Sequence, residues 1–445
     1  MLRLSEYMAA AWQRPLPPQV NLRAKLHTLD TFAAMVSGSE LKPGVMAIRF
    51  AREHAGKPEA SVAASTVRCS SMDAALANGM LAHADETDDS HEFSTSHPGC
   101  SVVPAALAAG EQMGIGGAHF LRAVALGYDV GTRFMPALNF RGRVRARSSH
   151  AIVSGFGAAA AAGCAVKLDA QRMRWMLDYA CQQSSGLQVL VRDTEHIEKA
   201  FAFAGMGARS GVTSAMVVLS GWTGIDDVLS GDNNFFDAYA GEARPSALVD
   251  GLGERWEITR TNIKKWTVGS PIQAALDSLE ALLKQQPFTG DQVTRVVVRL
   301  SSGRGTVNDR EMPDINLQHM IALMLADGTA TFKSSHDFAR MKDPKVLAQK
   351  AKVQLVPDPE LEKASSRQAI VDVTLTDGRT LSHHTREVRG TVTNPMTEAE
   401  IIAKADELMA PILGAAPTRR VIQTVMSLDE VPNIRSVARM LQTRS

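Results

Sequence analysis

Gly155-Phe-Gly-Ala-Ala-Ala-Ala-Ala-Gly163 decides the fold class of this chain. Alanine is the strongest helix former, and the run contains no β-branched residue. Its faces carry almost no side chain, so neighbouring helix backbones can approach closely. The apolar stretch around it, Ser154 to Val166, is too short to span a bilayer. Gly155-x-Gly157 lacks the third glycine of a dinucleotide fingerprint and has no convincing strand before it. The segment therefore reads as a buried helix inside a helical bundle.

Outward from this helix the pattern stays helical, from Leu22 to about Leu229. Periodic apolar segments cover Leu22 to Val36, Ser71 to His83, Pro104 to Met113 and Phe120 to Phe134, with Gly or Pro punctuating them. The pattern changes after about Lys265. A helical stretch from Ile272 to Leu283 leads into Val293-Thr-Arg-Val-Val-Val-Arg-Leu300, a strand, and Leu317 to Leu325 is helical again. Alternating strands then flank Asp377-Gly378, a strong hairpin signal. Asn394-Pro395-Met396-Thr397 opens another helix, with Glu400 spaced as a capping-box partner of Thr397. The expected fold is mainly α. A large all-helical domain is built from 1–267 and 395–445, and a smaller α+β domain covers 268–394.

Composition narrows the function. The 445 residues exceed one small core, and 45% hydrophobic with 21% charged residues describes a folded chain. A net charge of +1 leaves no footprint for nucleic acid or an anionic membrane, so neither is expected as a partner. Any charge on a substrate must be met by a local cluster. The N-terminal residues show no signal-peptide core and are interrupted by Pro15, Pro17 and Pro18. Cys69, Cys100, Cys164 and Cys181 form no Cys-x-x-Cys pair, which argues against a zinc site or disulfide framework and fits a reducing cytoplasm.

The densest polar cluster is His83-Ala-Asp-Glu-Thr-Asp-Asp-Ser-His91, followed by Ser94-Thr-Ser-His97-Pro98-Gly99. Carboxylates beside imidazoles bring pKa values toward neutrality, as general acid–base work requires. The same residue types bind metals, but the spacing matches no metal motif and His-Glu-x-x-His is absent. The bland alternative is a solvated acidic loop. Arg145-Ala-Arg147-Ser-Ser-His150 precedes the alanine-rich helix, where free N–H groups and the positive dipole end suit an anion. Lys199 precedes Phe201-Ala-Phe-Ala-Gly205, and Lys264-Lys265-Trp266 sits at the domain boundary, where ligand clefts are common. His319 lies on an otherwise apolar helix, where a hydrogen-bonded core histidine is the alternative to a functional one.

These residues, in this order, resemble the MmgE/PrpD family over nearly the whole chain. The resemblance rests on Leu29-Asp30-Thr31, Asn78-Gly79-Met-Leu-Ala-His83, the Glu86/Asp88/Asp89/Ser90 cluster, His97-Pro98-Gly99 and Val103-Pro104. It continues through His150, Gly205 to Gly211, Gly221-Trp-Thr-Gly224, Arg389-Gly390 and Asn394-Pro395-Met396. It implies a helical domain made from both chain ends, an inserted α+β lid, an active site between them, and a homodimer. The family's activities are dehydration of 2-methylcitrate, decarboxylation of cis-aconitate and epimerisation of iminodisuccinate. All move a proton beside a carboxylate or related group, and the resemblance implies neither cofactor nor metal.

Carried over residue by residue, the family's acid–base set falls on Glu86, Ser90, His97 and His150. Its substrate-binding lysines fall on Lys199 and on Lys264 or Lys265, with Arg147 as a local addition. Many members have Tyr-Pro and then a histidine where this chain has Trp266-Thr-Val-Gly-Ser270-Pro, and a tyrosine where it has His319. Both positions would face substrate. The expectation is a metal-independent acid–base lyase, most simply a hydro-lyase, for a small di- or tricarboxylate. An epimerase is the runner-up, a cis-aconitate-type decarboxylase a further alternative, and a non-catalytic metabolite-binding protein the reading from another class.

Overall fold

A computed structural model describes every residue except 140–145, 241, 301–303, 365 and 444–445. The chain forms two compact units. One holds Met1–Ala84, Asp88–Thr261 and Glu398–Ser445; the other holds Asp85–Thr87 and Asn262–Thr397. The molecule is mainly helical with a smaller α+β part.

In the helical unit the Ser149–Ala165 helix is the hub, buried along nearly all its length. Helices Gly99–Met113, Gly117–Leu138 and Met206–Leu219 pack around it. Its small residues set the spacing. A Cβ added to Gly211 would fall 2.4 Å from Ala159 N, a separation only a glycine allows. The Ile197–Leu219 run is long and apolar enough to cross a membrane, but its apolar window is 61% buried here, as in a core helix.

Two buried polar networks fasten this unit. Lys404 Nζ, on the Glu398–Leu413 helix, donates to Asp30 Oδ1 at 2.7 Å on the Pro18–Gly38 helix. Arg133, almost fully enclosed, donates to Asp129 Oδ1 (3.2 Å) and to the carbonyl of Arg255 (2.9 Å). Tyr7 adds a hydrogen bond to Asp129 Oδ2 at 2.9 Å, tying in the first helix.

The second unit is a four-stranded mixed sheet with helices. Its spatial order is Val353–Pro357, Val293–Leu300, Ala369–Leu375, Thr380–Thr385. The first two strands run parallel and the other pairs antiparallel. Parallel pairing needs a crossover, which the helices Leu317–Asp327 and Pro344–Lys350 supply. Ala369, Val371, Val373 and Leu375 point inward in strict alternation, and Asp377-Gly378 closes the hairpin with Gly378 at φ +89°. Their core partners include Ile272, Leu279, Val296, Val298 and Ile321.

The bounds of this unit lie a few residues outside the 268–394 read from the sequence. Ile263 N donates to Gly390 O (3.0 Å) and Val392 N to Asn262 Oδ1 (2.9 Å), so the two ends of the segment are laced together. The helix read as starting at Pro104 begins instead at Gly99. A remote carboxylate, Asp89 Oδ1, accepts the Gly99 N–H at 3.0 Å and does the work of a local cap.

Candidate active site

The polar loop begins where the Ser71–Ala82 helix stops. Ser70 caps that helix at its start, and His83 forms its C-terminal cap residue. His83 is fully buried, with Nδ1 2.9 Å from Asp88 Oδ2. The other Asp88 oxygen lies 3.3 Å from His97 Nδ1. His97 Nδ1 also sits 2.6 Å from the carbonyl of Asp89. A carbonyl only accepts, so Nδ1 carries the proton and Nε2 is the basic nitrogen of His97.

Asp89 faces the other way, into the scaffold. Its Oδ2 accepts from Tyr128 (2.5 Å) and meets His27 Nδ1 (2.9 Å), while Oδ1 holds Gly99 N. Burial first, then the neighbouring Asp89 charge, pushes the Tyr128 phenol far up, so it stays a donor. Adjacent aspartates thus do separate jobs: Asp88 orients imidazoles and Asp89 locks the loop to three helices. Gly99 leaves no alternative, because a Cβ there would lie 2.5 Å from the Tyr128 hydroxyl and 2.8 Å from Asp89 Oδ2.

His150 is the second residue of the alanine-rich helix, whose cap Ser148 accepts from Ala151 N. Its ring stacks on Phe203 with centroids 3.9 Å apart and lies 5.0 Å from the His97 ring. Phe203 belongs to a π-helical turn, Phe201–Gly205, a feature common at functional sites. Lys199 Nζ lies 5.3 Å from the same ring. His196, buried and held at φ +61°, brings its ring 5.1 Å from His83. Three imidazoles, His83, His97 and His150, and a lysine therefore gather around Phe203 in the helical unit, with His196 beside His83. Ser90, half-buried, follows Asp89 in the same loop.

Donor atoms of His83, Asp88 and His97 lie within 4.8 Å of one another, a set that could hold a divalent ion. The geometry has a simpler account. The Asp88 oxygens already face the two imidazoles, and the His97 Nδ1 proton is committed to a carbonyl. His83 Nε2 is buried with no hydrogen-bond partner among the described residues.

The second unit carries the other residues singled out by the sequence. Lys264 is buried, and its Nζ donates to Glu86 O at 2.6 Å and lies 3.8 Å from the Glu86 carboxylate. Lys265 is engaged elsewhere, by Glu280 at 2.5 Å and over the Trp266 ring at 4.3 Å. Of the two lysines, Lys264 accompanies Glu86. Ser270 is half-buried just before the Gln273–Gln285 helix. His319 is fully buried on the Leu317–Asp327 helix, with no partner for either ring nitrogen among the described residues. Burial, with Lys350 and Arg340 nearby, pushes its pKa down to about 4, so it is a neutral imidazole near neutral pH.

Arg147, in the helical unit, donates to Ala238 O (2.8 Å) and lies over the Tyr239 ring at 4.5 Å, against the end of the Phe235–Tyr239 helix. Arg145 of the same motif lies outside the described residues. His91 contacts Ser94 Oγ (2.7 Å) and Glu257 (3.2 Å), a structural arrangement. Sequence reasoning gave no separate role to Asp88 and Asp89, and it missed His196 and Phe203. The only signal for the last two was their place beside Lys199.

Residues 2–248 match the MmgE/PrpD N-terminal domain, and residues 266–430 match the MmgE/PrpD C-terminal domain. The chain belongs to the MmgE/PrpD family. Among its MmgE/PrpD relatives is a cis-aconitate decarboxylase of Aspergillus terreus (strain NIH 2624 / FGSC A1156). It is 22% identical over 404 residues, which cover 83% of this chain and 80% of that protein. A second Aspergillus terreus cis-aconitate decarboxylase matches to the same extent. The histidine cluster falls in the N-terminal MmgE/PrpD match, and His319 falls in the C-terminal one. Lys264 and Lys265 sit between the two.

Proposed function

We propose that this MmgE/PrpD protein is an acid–base lyase that acts on a small di- or tricarboxylate, most simply by removing water. The observation that carries the reading is His97. Its Nδ1 is committed to the Asp89 carbonyl and flanked by Asp88, which leaves Nε2 as the base, and His150 lies beside it. In a dehydration, Nε2 takes a proton from the carbon next to a carboxylate. The electron pair forms the double bond, the C–O bond breaks, and the leaving hydroxide takes a proton from His150 to depart as water. Glu86 and Ser90 orient the reacting groups or activate water. Lys199 and Lys264 supply cations for the carboxylates, and the amino end of the Ser149–Ala165 helix favours the same charge.

Decarboxylation is the second reading, favoured by the two Aspergillus terreus relatives. There the C–C bond breaks, carbon dioxide leaves and the carbanion takes a proton, so the same histidines serve in the opposite sense. The neutral His319 and the small Ser270 support a substrate other than 2-methylcitrate. A pocket built around one set of polar groups rejects molecules that leave those groups unpaired.

The test is proton exchange followed by NMR in heavy water over 2-methylcitrate, citrate, cis-aconitate and a series of dicarboxylates. Exchange with loss of water supports the hydro-lyase, and exchange with release of carbon dioxide supports the decarboxylase. Stoichiometric binding of one of these acids without exchange makes the protein a metabolite binder and sinks the catalytic reading. Ordinary enzymatic efficiency on 2-methylcitrate would remove the specificity argument alone.

A further inference from the structure

Asp85–Thr87 is three residues long, yet it packs with the second unit while the chain on both sides belongs to the helical one. Such a short excursion needs fastenings. Lys264 Nζ provides one at the Glu86 carbonyl. Asp85 provides another within the segment, accepting from Thr87 N (3.0 Å) and from the Thr87 hydroxyl. The third comes from a residue the sequence did not single out: His336 Nε2 lies 2.7 Å from Asp85 Oδ2, an ion contact by distance whose angle is not that of a hydrogen bond.

His336 is built to face Asp85. It follows the Phe332–Ser335 turn, which Thr331 and Ser334 cap reciprocally. Its Nδ1 lies 2.7 Å from the Phe332 carbonyl, so that nitrogen holds a proton and the ring cannot turn over without losing the bond. The Phe332 ring lies against it at 4.3 Å. The charged groups facing it are Asp85 and, at 3.9 Å, Asp314, both carboxylates.

We propose that His336 is a positioning residue, whose ion contact with Asp85 holds the Asp85–Thr87 segment and so sets where Glu86 stands. The role of Glu86 rests on the acid–base reading above; the clasp itself does not. Burial alone would lower the His336 pKa, but Asp85 outweighs it and, with Asp314, lifts it to about 9. The sign follows from linkage. A histidine raised in the folded state contributes fully below its unfolded value of about 6.5, and the contribution is lost as pH rises through about 9. The clasp is closed at neutral pH and opens in alkali.

Amide hydrogen exchange on the ligand-free protein, read on a peptide spanning residues 84–90, tests this without needing a substrate. His336→Gln and Asp85→Asn should each lose protection there by about ten- to a hundredfold, as expected for one charge-assisted contact. The double variant should lose no more than Asp85→Asn alone, since Asp85 also holds Thr87 and the His336 contact is already gone. His336→Lys should restore much of the protection, and wild-type protection should fall above about pH 9, after correction for intrinsic exchange. The strand Val293–Leu300 serves as the folding control, and Asp85→Asn probes the contact from its other side should His336→Gln not fold. Unchanged protection in residues 84–90 in both single variants overturns the proposal. Glu86→Gln separates it from the functional reading. Full turnover by Glu86→Gln of whichever acid exchanges in heavy water removes the role of Glu86 and leaves the clasp standing.

Discussion

At the scale of single residues, the arrangement turns on where protons are held. His97→Ala removes the nitrogen left basic by the Asp89 carbonyl, and turnover should fall by about two to four orders of magnitude with the fold intact. Steady-state rates beside a circular dichroism spectrum check this. Near-wild-type turnover would pass the role to His150. His319 gives a different expectation. Its ring nitrogens have no partner among the described residues, so His319→Leu removes a buried polar group without breaking a bond. Stability should be unchanged or improved by about 1 kcal/mol in a denaturant titration. A loss of several kcal/mol would show that the ring is satisfied after all. The histidines of the His83–His97 loop were legible because their spacing is local. His196, Phe203 and His336 were not, since their meaning arises only when separate segments converge, and a lone histidine in Thr194-Glu195-His196 looks like any loop residue.

At the scale of elements, the loop and the helix after it are one construction. Asp89 accepts the first N–H of the Gly99–Met113 helix and ties it to Tyr128 and His27. No side-chain cap stands at the start of that helix, so the sequence pattern reads as helical only from Pro104. The Cβ of a Gly99→Ala variant must displace either the Tyr128 hydroxyl or Asp89. We expect a cost of about 1–3 kcal/mol and a disproportionate loss of activity, because Asp89 also supplies the carbonyl that orients His97. Parallel thermal melts and rate measurements check it; a variant with wild-type melting and rate means the helix start simply shifts. The strand pattern, by contrast, was readable from Ala369 to Leu375, since alternation is a local property.

At the scale of the whole molecule, the change from helix to strand near Lys265 was visible in composition. The lacing of Ile263 to Gly390 was not, because it joins residues far apart in sequence. Return of the C-terminal helix to the helical unit depends on a buried charge pair, Asp30 with Lys404. Lys404→Met would strand Asp30 in the core at a cost of about 3–5 kcal/mol, so its unfolding midpoint should drop sharply. An unfolding free energy within about 1 kcal/mol of wild type means Asp30 finds another cation or takes up a proton. The discontinuity of the helical unit has a consequence for synthesis. Residues 262–397 leave the ribosome after Asp85–Thr87 and before Glu398–Ser445, so the sheet-bearing unit has all of its residues available while the helical one still lacks the helix bearing Lys404. Ile401, Leu408 and Met409 bury against apolar neighbours that must wait for them. During translation those surfaces stand uncovered for the time it takes to make the inserted unit, which makes the nascent chain a natural client for chaperones that bind apolar helices.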